Sequence, residues 1–455
     1  MAASEPSVRV SSAGPLGRSG GALLGRPLRA WQDEARDALG FPCGLVVGAG
    51  HQCEWWHPGI GAKFMHAATL AGRSAAECAW LVIDTDVRDP AALRIPVRAD
   101  GGMDDCPAAT VWLGRRGSPG AVPARRDPWP SPQADLGGAI PALPSVAEGV
   151  RRAEAALRSS TATHGLARQV VGAVAAATPA LGTPAAVACS SELLRTTIGA
   201  ALVDRARRDP EACTRAFNAA LAAAPRAARA LVARDGGDVE LPFWTASPAG
   251  GRESVTGRTI GALADAGAPL WPRAFLTGLL ARAVLFDRFV HGTGGESYER
   301  ATDRFAQLWL GSELPPFDVA TATLTLPFPA AEGERPVTHP ERRAAWFDPE
   351  APPPSPGGPA RAGHSSPMKR DWLDRIARAP RRSAERRELW RAMHVALADA
   401  RSRHAGRIES VEARALQDRS RAAAQALRDD RTWAMVLHPP EAIEELARRI
   451  SLVRP

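Results

Sequence analysis

Leu45-Val46-Val47-Gly48-Ala49-Gly50-His51-Gln52-Cys53-Glu54-Trp55-Trp56-His57-Pro58-Gly59-Ile60-Gly61-Ala62-Lys63 is the stretch whose reading decides the fold. The apolar run Leu45-Val46-Val47 predicts a short buried strand. Gly48 and Gly50 follow at once, and glycines there let the backbone turn sharply and approach a ligand closely. Lys63 to Ala71 predicts a helix with Phe64, Ala67, Ala68 and Leu70 on or near one face. Strand, glycine turn, polar cluster and helix, in that order, is the layout of a phosphate or carboxylate site in an open α/β sheet. Backbone N–H groups supply donors in such a site, and His51, Gln52, His57 and Lys63 are the side-chain candidates. Neither G-x-G-x-x-G nor a Walker lysine pattern is present. A tight strand-to-loop turn carrying two surface histidines is therefore the plain alternative. Lysine usage sets the stretch apart: Lys63 and Lys369 are the chain's only lysines among 57 basic residues. A compact ammonium differs from a planar guanidinium in both shape and pKa.

The bulk properties bound the function. A length of 455 residues leaves room for two or three domains, and 45% hydrophobic content supports a real core. A net charge of +8 suits anionic ligands such as nucleotides or phosphates. No nucleic-acid module and no basic–aromatic interleaving appear, so nucleic acid is not an expected partner. The six cysteines contain no C-x-x-C, which argues against structural zinc, and the chain is too long for a disulfide scaffold. Reduced thiols in a cytoplasm are expected, with Cys53 inside the glycine-turn cluster. No apolar run approaches transmembrane length, so no membrane partner is expected. Residues 1–30 are rich in Gly, Ser and Arg without a compact apolar run, and a disordered tail is expected there.

Residues 31–145 read as the first part of an α/β core. Ala79-Trp80-Leu81-Val82-Ile83 predicts a second buried strand, ending in Asp84-Thr85-Asp86. Carboxylates at that end of a strand can hold a metal, an ammonium or a ribose. The alternative is an Asx-type turn. Leu93 to Val97 alternates but contains proline, which restricts it to an edge strand. Residues 100–145 predict loop. Residues 146–234 predict a helical insertion of three or four helices.

The core resumes over 235–328. Strand signals return at Val239 to Trp244, and a helix is predicted from Pro272 to Phe286, opened by Arg273. An arginine at a helix start opposes the helix dipole, which points to another role for it. A second strand, glycine turn and helix follows in Phe289 to Phe305, with Gly292, Gly294 and Gly295 and then Glu296 and the chain's only tyrosine, Tyr298. A Schellman-like turn with a packed tyrosine is the alternative there. Phe317 to Leu326 predicts a last strand. Residues 329–368, with Pro352-Pro353-Pro354, predict an extended linker. Residues 369–455 predict a helical region, an antiparallel pair or coiled coil, that could serve a homodimer.

With both glycine loops in view, the chain resembles the cysteine-adding enzyme of bacillithiol synthesis, the BshC family. Gly50-His51-Gln52, Pro58 and Lys63 stand where that family has a Gly-Gln-Gln loop and a lysine-bearing helix. Asp84-Thr85-Asp86 stands where it has an acidic motif. Trp271-Pro272-Arg273 and Gly292-Thr293-Gly294-Gly295-Glu296-Ser297-Tyr298 resemble its later Pro-Arg and glycine–tyrosine segments in order and spacing. The chain departs from the pattern in carrying His51 for the first glutamine and in lacking the histidine of the acidic motif.

The resemblance implies a Rossmann-like parallel sheet core with a helical insertion, and a nucleotide-dependent ligase that joins an amino-acid carboxylate to an amine. The cofactor expected is ATP or another nucleotide, with magnesium. Gly48, Gly50, His51 and Lys63 would hold phosphates and developing negative charge. Gln52, His57, Gly292, Gly294 and Gly295 complete the expected binding set. Asp84 and Asp86 would bind a substrate ammonium or magnesium, and Glu296 and Tyr298 would orient substrate or ribose. Arg273 would pair with a carboxylate or phosphate. His51, Asp84, Asp86 and Glu296 are the catalytic candidates. The alternative is a catalytically retired scaffold acting as a binding protein. A metallohydrolase using His51, His57 and Asp84 or Asp86 lacks compact ligand spacing.

Overall fold

Val46 and Val47 are fully buried, and the strand they begin runs through both glycines to Gln52. It lies at the middle of a six-stranded sheet in a computed structural model that describes residues 6–17, 20–98, 107–115, 122–161, 163–329, 339–351 and 365–453. In chain order the strands are β1 (Ser7–Ser11), β2 (Val46–Gln52), β3 (Glu77–Ile83), β4 (Ala186–Cys189), β5 (Arg288–His291) and β6 (Phe317–Thr323). Their spatial order is β1-β6-β5-β2-β3-β4. All neighbours are parallel except β1, which runs antiparallel to β6. The chain winds one way from β2 through β3 to β4, then returns to the other side of β2 for β5 and β6. The winding reverses between β2 and β5, and the carboxyl ends of those strands open a crevice there.

The period-two alternation of β2 feeds two layers. Val47 and Ala49 face the helix Pro58–Arg73, which packs over β2, β3 and β6. Under that helix Phe64 stacks on Trp56 at 4.1 Å, and both rings meet Trp80 of β3 edge-on. Val46, Gly48 and Gly50 face the opposite layer, built on Phe286, Phe289 and the helices Leu28–Leu39, Thr197–Arg208 and Pro210–Leu221. Phe286 and Phe289 stack at 5.5 Å in the space the glycines leave. A Cβ at Gly48 would lie 2.0 Å from the Phe286 ring and 2.5 Å from the Ala79 carbonyl. Gly48 is thus a packing glycine deep in the sheet, not part of a ligand cradle.

The structure corrects several sequence expectations. Residues 7–11, placed in a disordered tail, form β1. Residues 1–5, also assigned to that tail, lie outside the described residues. The helical insertion contains its four helices, Pro144–Ser159, Leu166–Ala177, Thr197–Arg208 and Pro210–Leu221, but also β4. A four-residue apolar run in alanine-rich sequence carries no period of its own. The 100–145 loop includes Ala108–Trp112, which pairs antiparallel with Ala92–Pro96. Glu240–Ala246 belongs to a separate three-stranded antiparallel sheet with Arg252–Thr256 and Leu270–Pro272. The helix expected from Pro272 is split into Phe275–Leu280 and a π-helical turn, Ala281–Leu285.

The closing segment docks back on the core. Met435 N–H donates to the Trp56 carbonyl, and Met435 and Val436 occupy the room left by Gly61 and Gly149.

Of the described residues, 107, 329, 339–351 and 365–427 form a second unit. The expected linker includes the helix His339–Phe347, and its proline run lies outside the described residues. Helices Pro367–Arg378 and Ala384–Arg403 pack through Ile376, Met393 and Leu397, followed by Ala405–Arg428. Leu373, on the first of these helices, is exposed. Among the described residues no helix is long and apolar enough to cross a membrane.

Candidate functional site

The crevice between β2 and β5 is a cleft of about 720 Å³. Three strand ends supply its base. Gly50, His51 and Gln52 come from β2, Thr85 and Asp86 follow β3, and His291, Gly294 and Gly295 follow β5. Tyr298 and Glu299 line it from the first turns of the helix Thr293–Leu310, whose N-terminus therefore opens on the cleft. The unpaired N–H groups and dipole of such a terminus favour an anion.

The opposite wall is cationic. Arg226, Arg229, Arg252 and Arg273 all line it. The guanidinium groups of Arg252 and Arg273 lie over the Trp244 ring at 4.7 and 4.4 Å. Arg252 Nη1 donates to the Thr85 carbonyl at 2.8 Å, which ties the small sheet to the end of β3. Arg273 is buried, its Nη1 has no hydrogen-bond acceptor, and Glu240 lies 3.6 Å away. Ala274, next to it, has φ of 48° without being glycine. Such strain persists where the surroundings hold it, and it lies in the cleft wall here. Arg273 precedes its helix rather than opening it, so the dipole objection does not apply.

Lys63 lies beneath this floor, only 2% exposed. Its Nζ donates to the Gly50 carbonyl at 2.8 Å and sits 3.2 Å from His51 Nδ1. Burial pulls its pKa down to about 7. His51 Nε2 is 3.1 Å from Glu54 Oε1. Burial and then the Lys63 charge bring His51 down to about 4, so the ring is neutral at physiological pH, its Nε2–H toward Glu54 and its Nδ1 toward Lys63. Lys63 thus orients His51 and the Gly50 peptide.

The remaining expected residues fall elsewhere. His57 caps the helix Pro58–Arg73, its Nδ1 accepting from Gly59 N–H at 3.1 Å, and faces a neighbouring cavity of about 590 Å³. Asp84 points inward, 2% exposed, and accepts from Ser190 Oγ, Ser191 N–H and Ser191 Oγ at 2.9, 2.9 and 2.5 Å. It fastens β3 to the turn after β4, and burial raises its pKa despite those bonds. Glu296 pairs with Arg300 and lies outside the cleft. Gly292 is not among the lining residues, although its Cβ position lies 3.7 Å from the Lys63 stem. Cys53 is buried against the Ala167 carbonyl and burial raises its thiol well above the ordinary range, so it is not a reactive thiol. Among the described residues no group of three or more His, Cys, Asp or Glu side chains could hold a metal.

Sequence reading missed Arg226, Arg229, Trp244, Arg252, His291 and Glu299. Glu299 had a usable signal. Gly295, Glu299, Thr302, Ala306 and Trp309 form the buried stripe of their helix, spaced alternately by four and three. An acid on such a stripe is buried, and a buried acid has a partner or a task.

No family model matches the chain, and no curated protein matches it at a significant level.

Proposed function

We propose that the chain is a nucleotide-using, ligase-like enzyme of the cytoplasm that activates a carboxylate and joins it to an amine. One observation carries the reading. A cationic cleft stands at the winding reversal of a parallel sheet, and residues from segments about 240 positions apart converge on it, Gly50, His51 and Gln52 meeting Gly294, Gly295 and Tyr298. A phosphate chain suits the helix N-terminus and the arginines, because both concentrate positive potential on a surface sheltered from water. Arginine forks also match carboxylate and phosphate oxygens in pairs.

In this reading Arg252 and Arg273 hold the anionic groups as negative charge moves from carboxylate to leaving phosphate. His51, neutral and fixed between Lys63 and Glu54, presents a set orientation to the guest. Asp86 would be the acid to meet a magnesium ion carried by the nucleotide. A cleft filled by Trp55 and Trp56 would favour a retired scaffold, but both are buried outside the cleft and do not fill it.

The test is a thermal-shift and calorimetric titration with ATP, ADP and magnesium. ATP at a hundredfold excess over its Kd should add about 2.7 kcal/mol of stability. Arg226→Gln with Arg229→Gln should weaken ATP at least several-fold without lowering Tm, since both side chains are exposed. No response to either nucleotide at millimolar concentration overturns the proposal.

A further inference from the structure

A second cavity, of about 610 Å³, shares no lining residue with the cleft. The helices Pro144–Ser159, Leu166–Ala177 and Pro440–Leu452 and the closing segment at Met435 wall it. Its size is that of a small-molecule site. Small side chains make the space. Arg152, Ala155, Ala156 and Ser159 lie three and four apart on one helix face, and Ala176, Ala177 and Ala180 line the cavity from the next helix and the turn after it. Met435, Ile443 and Ala156 are buried and give it an apolar floor. The walls are fixed in place. Met435 and Val436 fill the room left by Gly61 and Gly149, where a Cβ would lie 2.2 Å from Met435 Sδ and 2.2 Å from the Val436 carbonyl oxygen.

Arg152 is the one basic residue among those lining the cavity. Its Nη2 donates to the Val436 and His438 carbonyls at 2.6 and 3.1 Å. Those bonds hold the guanidinium in position without neutralising it. Its Nε–H is buried and has no acceptor. The acids on its own helix are spent elsewhere: Glu148 pairs with Arg151, and Glu154 with Arg158. Glu444 also lines the cavity, but it is exposed at the rim. A half-buried guanidinium without a counter-charge favours an anion, and its fork matches a carboxylate. Thr178, only 5% exposed, adds a hydroxyl to the same wall.

An inorganic anion would leave the apolar floor in water, and a plain hydrocarbon would leave Arg152 without a partner. A guest with a charged head and an apolar tail satisfies both. We infer that this cavity is a second binding site, for a small amphipathic carboxylate. Its head sits on the Arg152 guanidinium, and its tail covers Met435, Ile443 and the alanines. The site stands apart from the cleft and does not depend on what the cleft binds.

The experiment is titration calorimetry on the full chain with octanoate, octanol, octylamine and acetate. Octanoate should bind at one site per chain, roughly tenfold or more tighter than octanol, which is the weight of a hydrogen bond to a charged group. Octylamine should bind more weakly than octanol, and acetate, which has no tail, more weakly than octanoate. Arg152→Gln should bring octanoate down to the affinity of octanol and leave octanol unchanged. If that variant does not fold, Ala155→Glu decides the matter. Ala155 is exposed, and a carboxylate three residues from Arg152 on the helix occupies the guanidinium. Octanoate should then lose its advantage over octanol. Ala176→Trp, also at an exposed position, should weaken octanoate and octanol alike by filling the space above the floor. No octanoate binding at millimolar concentration, equal binding of octanoate and octanol to the wild type, or undiminished octanoate binding in Ala176→Trp overturns the inference.

Discussion

The two glycine turns look alike in sequence and do different physical work. In the first, which the structure places within β2, the glycines serve the sheet. Gly48 makes room for Phe286, and Gly50 approaches Leu81 and Phe289 within 3.4 Å of its Cβ position. What that turn offers the cleft is side chains, His51 and Gln52, held from below by a buried lysine. In the second, after β5, Gly294 has nothing within 4 Å of a Cβ, and its helix terminus is open to the cleft. That turn offers backbone N–H groups and, one helical turn on, a buried carboxylate. A glycine run therefore reports close approach without saying whether the approaching group is protein or ligand.

Three substitutions sharpen this contrast. The largest effect is expected at Gly48. Gly48→Ala drives a methyl into the Phe286 ring and the Ala79 carbonyl, neither of which can withdraw cheaply. Overpacking of this kind costs about 1–3 kcal/mol or more. Urea unfolding should show at least that loss, and an unchanged midpoint would remove the packing role.

The second concerns Lys63 and pH. Burial lowers its folded pKa from 10.5 to about 7. Between those values the unfolded chain holds a proton that the folded chain has released, so this group makes stability rise with pH across that window. Below about pH 7 the cost is fully present. Lys63→Met removes that slope, at most about 1.4 kcal/mol per pH unit. Unfolding at pH 7, 8, 9 and 10 separates the slope from the constant loss of the bonds to Gly50 and His51. Parallel curves for the two proteins would contradict a depressed lysine.

The smallest effect on stability belongs to Gly294. Gly294→Ala meets no atom, and alanine favours a helix by roughly 0.5–1 kcal/mol over glycine. Tm should stay level or rise slightly, while ATP affinity falls because the methyl crowds the anion at the helix terminus. A Tm loss comparable to that of Gly48→Ala would erase the distinction between the turns.

Much of the frame was legible in the chain. Val46-Val47, Ala79 to Ile83 and Phe289-Val290 announced buried parallel strands because their apolar runs are short, continuous and bounded by glycine or acid. Gly50, His51, Gln52, Asp86, Arg273, Gly294, Gly295 and Tyr298 were picked from sequence and share the cleft. Asp84 and Asp86 show the limit. Two residues apart across the bend that follows β3, one points into the fold onto Ser190 and Ser191 and the other lines the cleft. Composition treats them as equal, and only the position of the turn after β4 separates them. Arg226, Arg229 and Arg252 were illegible for a related reason. They lie on irregular chain and on a small antiparallel sheet, where no period marks a direction.

By itself, then, the sequence determined the kinds of element, the glycine-bounded strand ends and the excess of positive charge, since these depend on local sterics and on counting. Tertiary structure alone decided which strands became neighbours and so where the winding reverses. It also decided that Glu299 and not Glu296 faces the cleft. The two acids lie within one turn of the same helix. Which is buried depends on how that helix is rotated against the helices Pro210–Leu221 and Phe275–Leu280, and the packing of Tyr298, Phe305 and Trp309 on the core sets that rotation.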